Sequence, residues 1–282
     1  MSPLIQVSEL ANQLGQTDLV LVDCRHDLTQ PEAGRLAYEQ GHLPGAVFAH
    51  LDHDLSGPKT GRNGRHPLPD PAQLERKLAA LGIGTGSHIV AYDAHGGIFS
   101  ARLWWLLKWV GFQAVQVLDG GVNAWLAAGG QLDTMSPSIT IGALEAQPNY
   151  AKVVDAETVL DNLDRQEFMV IDARAPGRFA GEGETMDPVA GHIPGAMNRF
   201  FQLNLQADGR FKPAEMLRNE WKTFLDGRDA HDTVQQCGSG VTACHNLLAL
   251  EIAGLPGSRL YPGSWSEWCA DPSRPVARGA AD

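Results

Sequence analysis

With 282 residues, 43% hydrophobic and 20% charged, the chain is long enough for about two ordinary globular domains, each able to bury a core without disulfide or metal staples. Its net charge of -11 sets an acidic surface against phosphate backbones and anionic headgroups, which disfavours nucleic acid and membranes as partners. No apolar run reaches the roughly 18 residues of a spanning helix, and Met1 to Leu14 has neither a basic start nor a long apolar stretch, so no leader is expected and the protein is assigned to the cytoplasm.

Taken in chain order, short apolar runs alternate with amphipathic segments. Leu19–Asp23 reads as a buried strand. Asp70 and Pro71 read as the cap and first residue of a helix that runs to Leu81 and stops before Gly82. A second buried strand is expected over Ile89–Asp93, with helices over Ala101–Val110 and Val122–Ala128, the latter ended by Gly129-Gly130. From Gln131 to Tyr150 no period is visible and Pro137 and Pro148 intervene, so this stretch reads as a linker. Strands follow near Met169–Asp172 and Thr233–Gln236, with helices over about Pro213–Leu225 and Thr242–Ala253. Such alternation implies an α/β fold, a mostly parallel sheet with helices on both faces, in which ligands gather at the carboxyl ends of the strands.

The chain repeats itself. Asp18–Arg25 is similar to Phe168–Arg174. Gly41-His42-Leu43-Pro44-Gly45-Ala46 returns as Gly191-His192-Ile193-Pro194-Gly195-Ala196, and Leu118–Trp125 returns as Tyr261–Trp268. The matches are ordered and nearly equally spaced. They define two copies of one domain, residues 1–130 and 150–282, joined by the linker 131–149.

Of the four cysteines, Cys24, Cys237, Cys244 and Cys269, none forms a CxxC pair or stands at zinc-ligand spacing, so no metal is expected and reduced thiols are the default. Cys237 differs in its setting. The strand to Gln236 runs into Cys237-Gly238-Ser239-Gly240-Val241-Thr242 and then an apolar helical stretch. Glycines let such a loop turn its amides inward; amide hydrogens pointing at one atom, with a helix start behind them, stabilise an anion and lower a thiol pKa. A buried, inert strand-end thiol is the competing reading.

The Gly-His-[Leu/Ile]-Pro-Gly-Ala signature, the Asp-x-Arg strand end and the Cys237 loop together resemble the rhodanese family, and the tandem layout resembles its thiosulfate and 3-mercaptopyruvate sulfurtransferases over nearly the whole chain. The resemblance implies an active cysteine in the second copy and an inactive first copy; aligned on the last repeat, Ala94 falls opposite Cys237. It also implies a persulfide carried on Cys237, no organic cofactor, a small-molecule sulfur donor, and an acceptor that is cyanide, a thiol or a thioredoxin-like reductant. Thiosulfate-preferring members resemble Cys-Arg-Lys-Gly-Val-Thr at the loop. The uncharged Cys237–Thr242 loop is similar to the mercaptopyruvate form, with thiosulfate as the alternative donor.

By the same resemblance Ser239, His66 and Asp52 form an acid–base relay, Arg178 binds the substrate anion, and Gly238, Gly240, Val241 and Thr242 complete the substrate loop. Without it, His66 reads as a solvated loop histidine. One departure bears on the donor: mercaptopyruvate enzymes carry a second arginine nine residues after Arg178, where this chain has Asp187. Arg25 and Arg174 end equivalent strands in both copies, which favours structural ion pairs. Trp105 and Trp109, a turn apart with Trp104 beside them, are expected to pack a core, and Cys244 to be a packed thiol. A phosphatase of the same fold would close the loop with an arginine where this chain has Ala243.

Overall fold

The computed structural model describes residues 1–280. The chain forms two compact units. The first holds residues 1–57, 69–149 and 207–211; the second holds 58–68, 150–206 and 212–280. Two excursions thus cross over: Pro58–Leu68 belongs to the second unit and Ala207–Phe211 to the first. The profile of the fold repeats in each.

In the first unit β1 (Leu4–Ile5), α1 (Val7–Ala11), β2 (Leu19–Asp23), α2 (Ala33–Gln40), β3 (Val47–Phe48), α3 (Pro71–Ala80), β4 (His88–Tyr92), α4 (Ser100–Trp109), β5 (Val115–Leu118) and α5 (Gly121–Ala127) follow one another. The five strands form a parallel sheet in the order β1-β5-β4-β2-β3. Asp70 caps α3 by accepting the Gln73 amide, and Pro71 takes the first turn, where no amide partner is needed. Ile5, Leu21, Val90, Tyr92, Leu118 and Trp125 build one core cluster. Trp104, Trp105 and Trp109 of α4 are buried, Trp105 stacking on Trp109 at 5.9 Å. The stretch after α5 runs irregularly along this unit, held by backbone bonds such as Thr85 to Ala143 and Asn149 to Trp109.

The second unit contains α6 (Ala156–Arg165), β6 (Met169–Asp172), α7 (Pro176–Ala180), β7 (Met197–Asn198), α8 (Ala214–Leu225), β8 (Thr233–Gln236), α9 (Thr242–Ile252), β9 (Arg259–Leu260) and α10 (Ser264–Trp268). Its parallel sheet runs β7-β6-β8-β9. Val159, Phe168, Val170, Val234, Tyr261, Trp265 and Trp268 fill the core on one face. Among the described residues no helix is long and apolar enough to cross a membrane.

The repeated Gly-His-x-Pro-Gly-Ala segment is a brace. Gly41 and Gly191 offer their carbonyls to Arg25 and Arg174 at 2.6 and 2.8 Å. Those arginines also grip Asp23 and Asp172 at the ends of β2 and β6. His42 stacks on Tyr38 and His192 on Phe179, at 3.9 and 3.7 Å, each with Nδ1 bonded to a backbone carbonyl. Both copies therefore keep the arginine for the same buried ion pair.

Candidate active site

The site is set by the end of β8. Strand pairing to β6 ends with Asp172 opposite Gln236, and the next residue, Cys237, leaves the sheet. Its amide donates to Ser264 Oγ at 3.1 Å, while its carbonyl and that of Gly238 accept the Trp265 and Ser266 amides of α10 at 3.0 and 2.9 Å. The cysteine backbone is thus clamped before the loop turns. Gly240 has φ of +77°, and a β-carbon there would lie 2.4 Å from the Pro262 carbonyl oxygen. Only glycine fits. The turn aims the Gly240 amide at Cys237 Sγ, 3.2 Å away. Thr242 opens α9, and Cys244 donates its thiol to the Gly240 carbonyl at 3.3 Å, bracing the loop from behind. Val241 is buried and accepts the Cys244 amide.

The first unit shows what this kind of loop holds. There β2 pairs to Tyr92 where β6 pairs to Gln236, and Asp93 accepts the Val122 amide on its carbonyl as Cys237 accepts that of Trp265. Asp93, and not Ala94, is therefore the counterpart of Cys237. The shift arises because the loop from Asp93 to Ser100 is two residues longer than that from Cys237 to Thr242, while the stretch from the helix start to Val122 is one residue shorter than that to Trp265, so an alignment on the final repeat slips by one residue. The Asp93 carboxylate accepts the amides of His95, Gly97, Phe99 and Ser100 at 2.8 to 3.0 Å, and the Ser100 hydroxyl at 3.1 Å. A side-chain carboxyl group fills the amide nest of the first copy.

Ser239 and His66 meet: Ser239 Oγ lies 2.7 Å from His66 Nδ1. Both are buried, at 4% and 5% exposure, so His66 is not a solvated loop histidine. The segment that carries it is pinned by the Arg65 amide, which donates to Ser266 Oγ at 3.0 Å. Gly64, at φ of +84°, passes so close to the Gly263 carbonyl oxygen that a β-carbon would sit 2.7 Å from it. Asp52 belongs to the first unit, where its carboxylate lies 3.8 Å from His26 Nε2 and its amide donates to His50 Nδ1 at 3.1 Å.

Arg178 sits on α7. Its Nε and Nη2 donate to the Glu184 carboxylate at 3.0 and 2.9 Å, and Nη2 also reaches Asp187 at 3.3 Å. Arg65 donates Nη1 to the other oxygen of Asp187. Both guanidinium groups come to Gly238: a β-carbon there would lie 2.8 Å from Arg65 Nη2 and 3.6 Å from Arg178 Nη1. Arg174 lies nearby; burial opposes its charge, yet Asp172, Glu184 and the Cys237 sulfur together push its pKa up. The sequence singled out Arg178 and the oddity of Asp187. It did not single out Arg65 or Glu184, whose partners are distant in the chain or ordinary for an exposed loop; the one signal was that Arg65 adjoins His66. All four cysteines are buried, Cys237 included; burial pushes the Cys24 thiol well up and the Cys269 thiol up to about 11, with Asp23 and Asp187 respectively adding to it.

The rhodanese-like domain profile matches residues 6–128 and again 155–271. The chain belongs to the rhodanese family. As a tandem rhodanese it is 49% identical over 278 residues, 98% of each chain, to a probable 3-mercaptopyruvate sulfurtransferase of Pseudomonas aeruginosa. It is 40% identical over 281 residues, 99% of this chain and 98% of the other, to a putative thiosulfate sulfurtransferase of Mycobacterium tuberculosis. Among solved structures, 3-mercaptopyruvate sulfurtransferase from Leishmania major superposes with a TM-score of 0.84 at 30% identity, covering 95% of this rhodanese and 74% of that chain.

Proposed function

We propose that the protein is a 3-mercaptopyruvate sulfurtransferase that carries sulfur as a persulfide on Cys237. The observation that carries this reading is the placement of Cys237 Sγ under the Gly240 amide in a loop whose Ser239 is bonded to a buried His66. The relatives that bear the activity in their names support it. The Cys237 thiolate attacks the donor sulfur; a sulfur–sulfur bond forms as the carbon–sulfur bond breaks, and the electron pair leaves on the enolate of pyruvate. Ser239 delivers a proton to the enolate and recovers one through His66. By the family pattern Arg178 holds the substrate carboxylate with Nη1, the arm its acidic partners leave over. In the second half-reaction cyanide, a thiol or a thioredoxin-like reductant takes the outer sulfur and the thiolate returns, a ping-pong cycle.

The first copy serves as scaffold, since Asp93 stands in place of the nucleophile. Its carboxylate supports the charge logic: a loop of this fold gathers amides on a resident anion, and in the second copy that anion is sulfur. None of the four cysteines is in a disulfide, in keeping with a reducing cytoplasm.

Thiosulfate is the second reading, favoured by two guanidinium groups beside Gly238. Against it stands charge balance. Arg65, Arg174 and Arg178 are matched by Asp172, Glu184 and Asp187, so the pocket offers a dianion no net positive charge, whereas a monocarboxylate thiol needs none. Measuring thiocyanate formed from cyanide with each donor decides between them: kcat/KM is expected to be higher for 3-mercaptopyruvate, and a higher value for thiosulfate reverses the assignment.

A further inference from the structure

The first copy carries Asp93 where the second carries Cys237, yet it keeps a cavity beside that loop. The cavity, about 330 Å3 in volume, lies past the ends of β2 and β4 and is lined by Arg25 and Ala94 together with Ala33 and Ala37 of α2 and Val122 and Leu126 of α5. We propose that it binds a small monocarboxylate with an apolar body, the carboxylate resting on Arg25. The inference is independent of the sulfur chemistry assigned to the second copy.

The two copies differ at their equivalent arginines. Arg25 and Arg174 spend Nε and Nη2 alike, on Asp23 and the Gly41 carbonyl in one copy and on Asp172 and the Gly191 carbonyl in the other. In the second copy a carboxylate stands over the remaining arm: Glu184 Oε2 lies 3.7 Å from Arg174 Nη1, and the arginine side chain is only 1% exposed. Glu184 belongs to the loop 181–190, between the end of α7 and Gly191. The first copy has no such loop, because α2 ends at Gln40 and Gly41 follows at once. Arg25 Nη1 takes no part in the bonds to Asp23 and Gly41, and the side chain keeps 10% exposure on the cavity wall. A carboxylate guest would do for Arg25 what Glu184 does for Arg174.

The walls define the rest of the ligand. A guanidinium fixed by two of its nitrogens offers the third without much loss of freedom, and a charge-assisted bond to a carboxylate gains strength where water is partly excluded. Ala33, Ala37, Val122 and Leu126 present only small or aliphatic surface, which suits a short branched alkyl body. Leu126 and Leu132, both on the cavity wall, are exposed, so a bound alkyl group would cover apolar surface now in water. Asp27, whose Oδ1 accepts the Thr29 and Gln30 amides, also lines the cavity. A second negative charge on the ligand would meet it, so a monoanion is favoured over a dianion.

The test titrates 4-methylpentanoate and its amide, equal in shape and different in charge, into the full chain by calorimetry. Wild type is compared with Leu126→Glu, Ala37→Phe and Arg178→Ala. The acid is expected to bind wild type with a Kd of about 1 mM or tighter, and the amide about tenfold more weakly or worse. Leu126→Glu sets a like charge at the exposed rim, and Ala37→Phe fills the cavity; each is expected to weaken the acid by about tenfold or more. Leu126→Glu does so with a thermal midpoint near that of wild type, since its side chain is half exposed. Arg178→Ala, which disables the anion site of the other copy, keeps the binding. No binding of the acid at about 10 mM overturns the proposal, and so does equal binding of acid and amide. Binding lost in Arg178→Ala and retained in Leu126→Glu also overturns it, because the acid then sits in the second copy.

Discussion

In the first unit the carboxylate of Asp93 stands where the sulfur of Cys237 stands in the second. One position in a duplicated loop thus holds a carboxyl group in one copy and a thiol in the other, and each is met by amides of its own loop. Removing the carboxylate strands four backbone donors and a hydroxyl. Asp93→Ala is expected to cost about 3 kcal/mol or more of stability, read as a lowered midpoint in urea, since each unsatisfied buried donor costs roughly 1–3 kcal/mol. Unchanged stability would mean the loop amides find water as readily as the carboxylate.

Gly240→Ala tests the corresponding turn. The substitution sets a β-carbon on the Pro262 carbonyl and a strained backbone at φ of +77°. Transfer is expected to fall by about 10²-fold or more as the amide leaves the sulfur, with the loss in kcat.

The relay should separate the two donors. Ser239→Ala removes the hydroxyl bonded to His66 and is expected to lower kcat with 3-mercaptopyruvate by ~10²-fold. Sulfite leaves thiosulfate without needing a proton, so the thiosulfate rate of the same variant is expected to change little. Equal losses would assign Ser239 to holding the loop.

Acid should loosen the Arg178–Glu184 pair late. Burial pushes the Glu184 carboxyl up, but the Met186 amide, the Arg178 guanidinium and the Asp187 amide outweigh it and hold it below the usual carboxylate range. A carboxyl whose folded pKa is depressed contributes its stability in full above the unfolded value of about 4.3 and loses it as pH falls through the folded one. The difference in thermal midpoint between wild type and Glu184→Gln is therefore expected to be flat at neutral pH and to shrink only below about pH 4.3. Shrinkage beginning near neutrality would contradict the direction of the shift.

Much of this was legible in the residues. Leu19–Asp23 and Met169–Asp172 are strands with the bounds their apolar runs imply, because strands buried on both faces read as apolar runs; Thr233–Gln236 is a fully buried strand although only Val234 in it is apolar. The helix capped by Asp70 begins where its cap and Pro71 say it does. Asp93 reads as the last residue of a strand but belongs to the loop, since its carboxylate bonds forward to amides that no periodicity reveals. Ser239 and His66, joined across the chain, were found only through the family pattern. Arg65 escaped even that, because its pairing with Asp187 appears only when the segment 58–68 is seen to belong with the second unit.

The most direct measurement is the intact mass of wild type and Cys237→Ser after 3-mercaptopyruvate and before any acceptor, with peptide mapping of the adduct. The expected result is a gain of one sulfur atom on the peptide holding Cys237, released as thiocyanate by cyanide and absent from the variant, while Cys24 and Cys269, kept protonated by burial, stay unmodified. No adduct in the wild type, or an undiminished adduct in Cys237→Ser, would contradict a persulfide on Cys237.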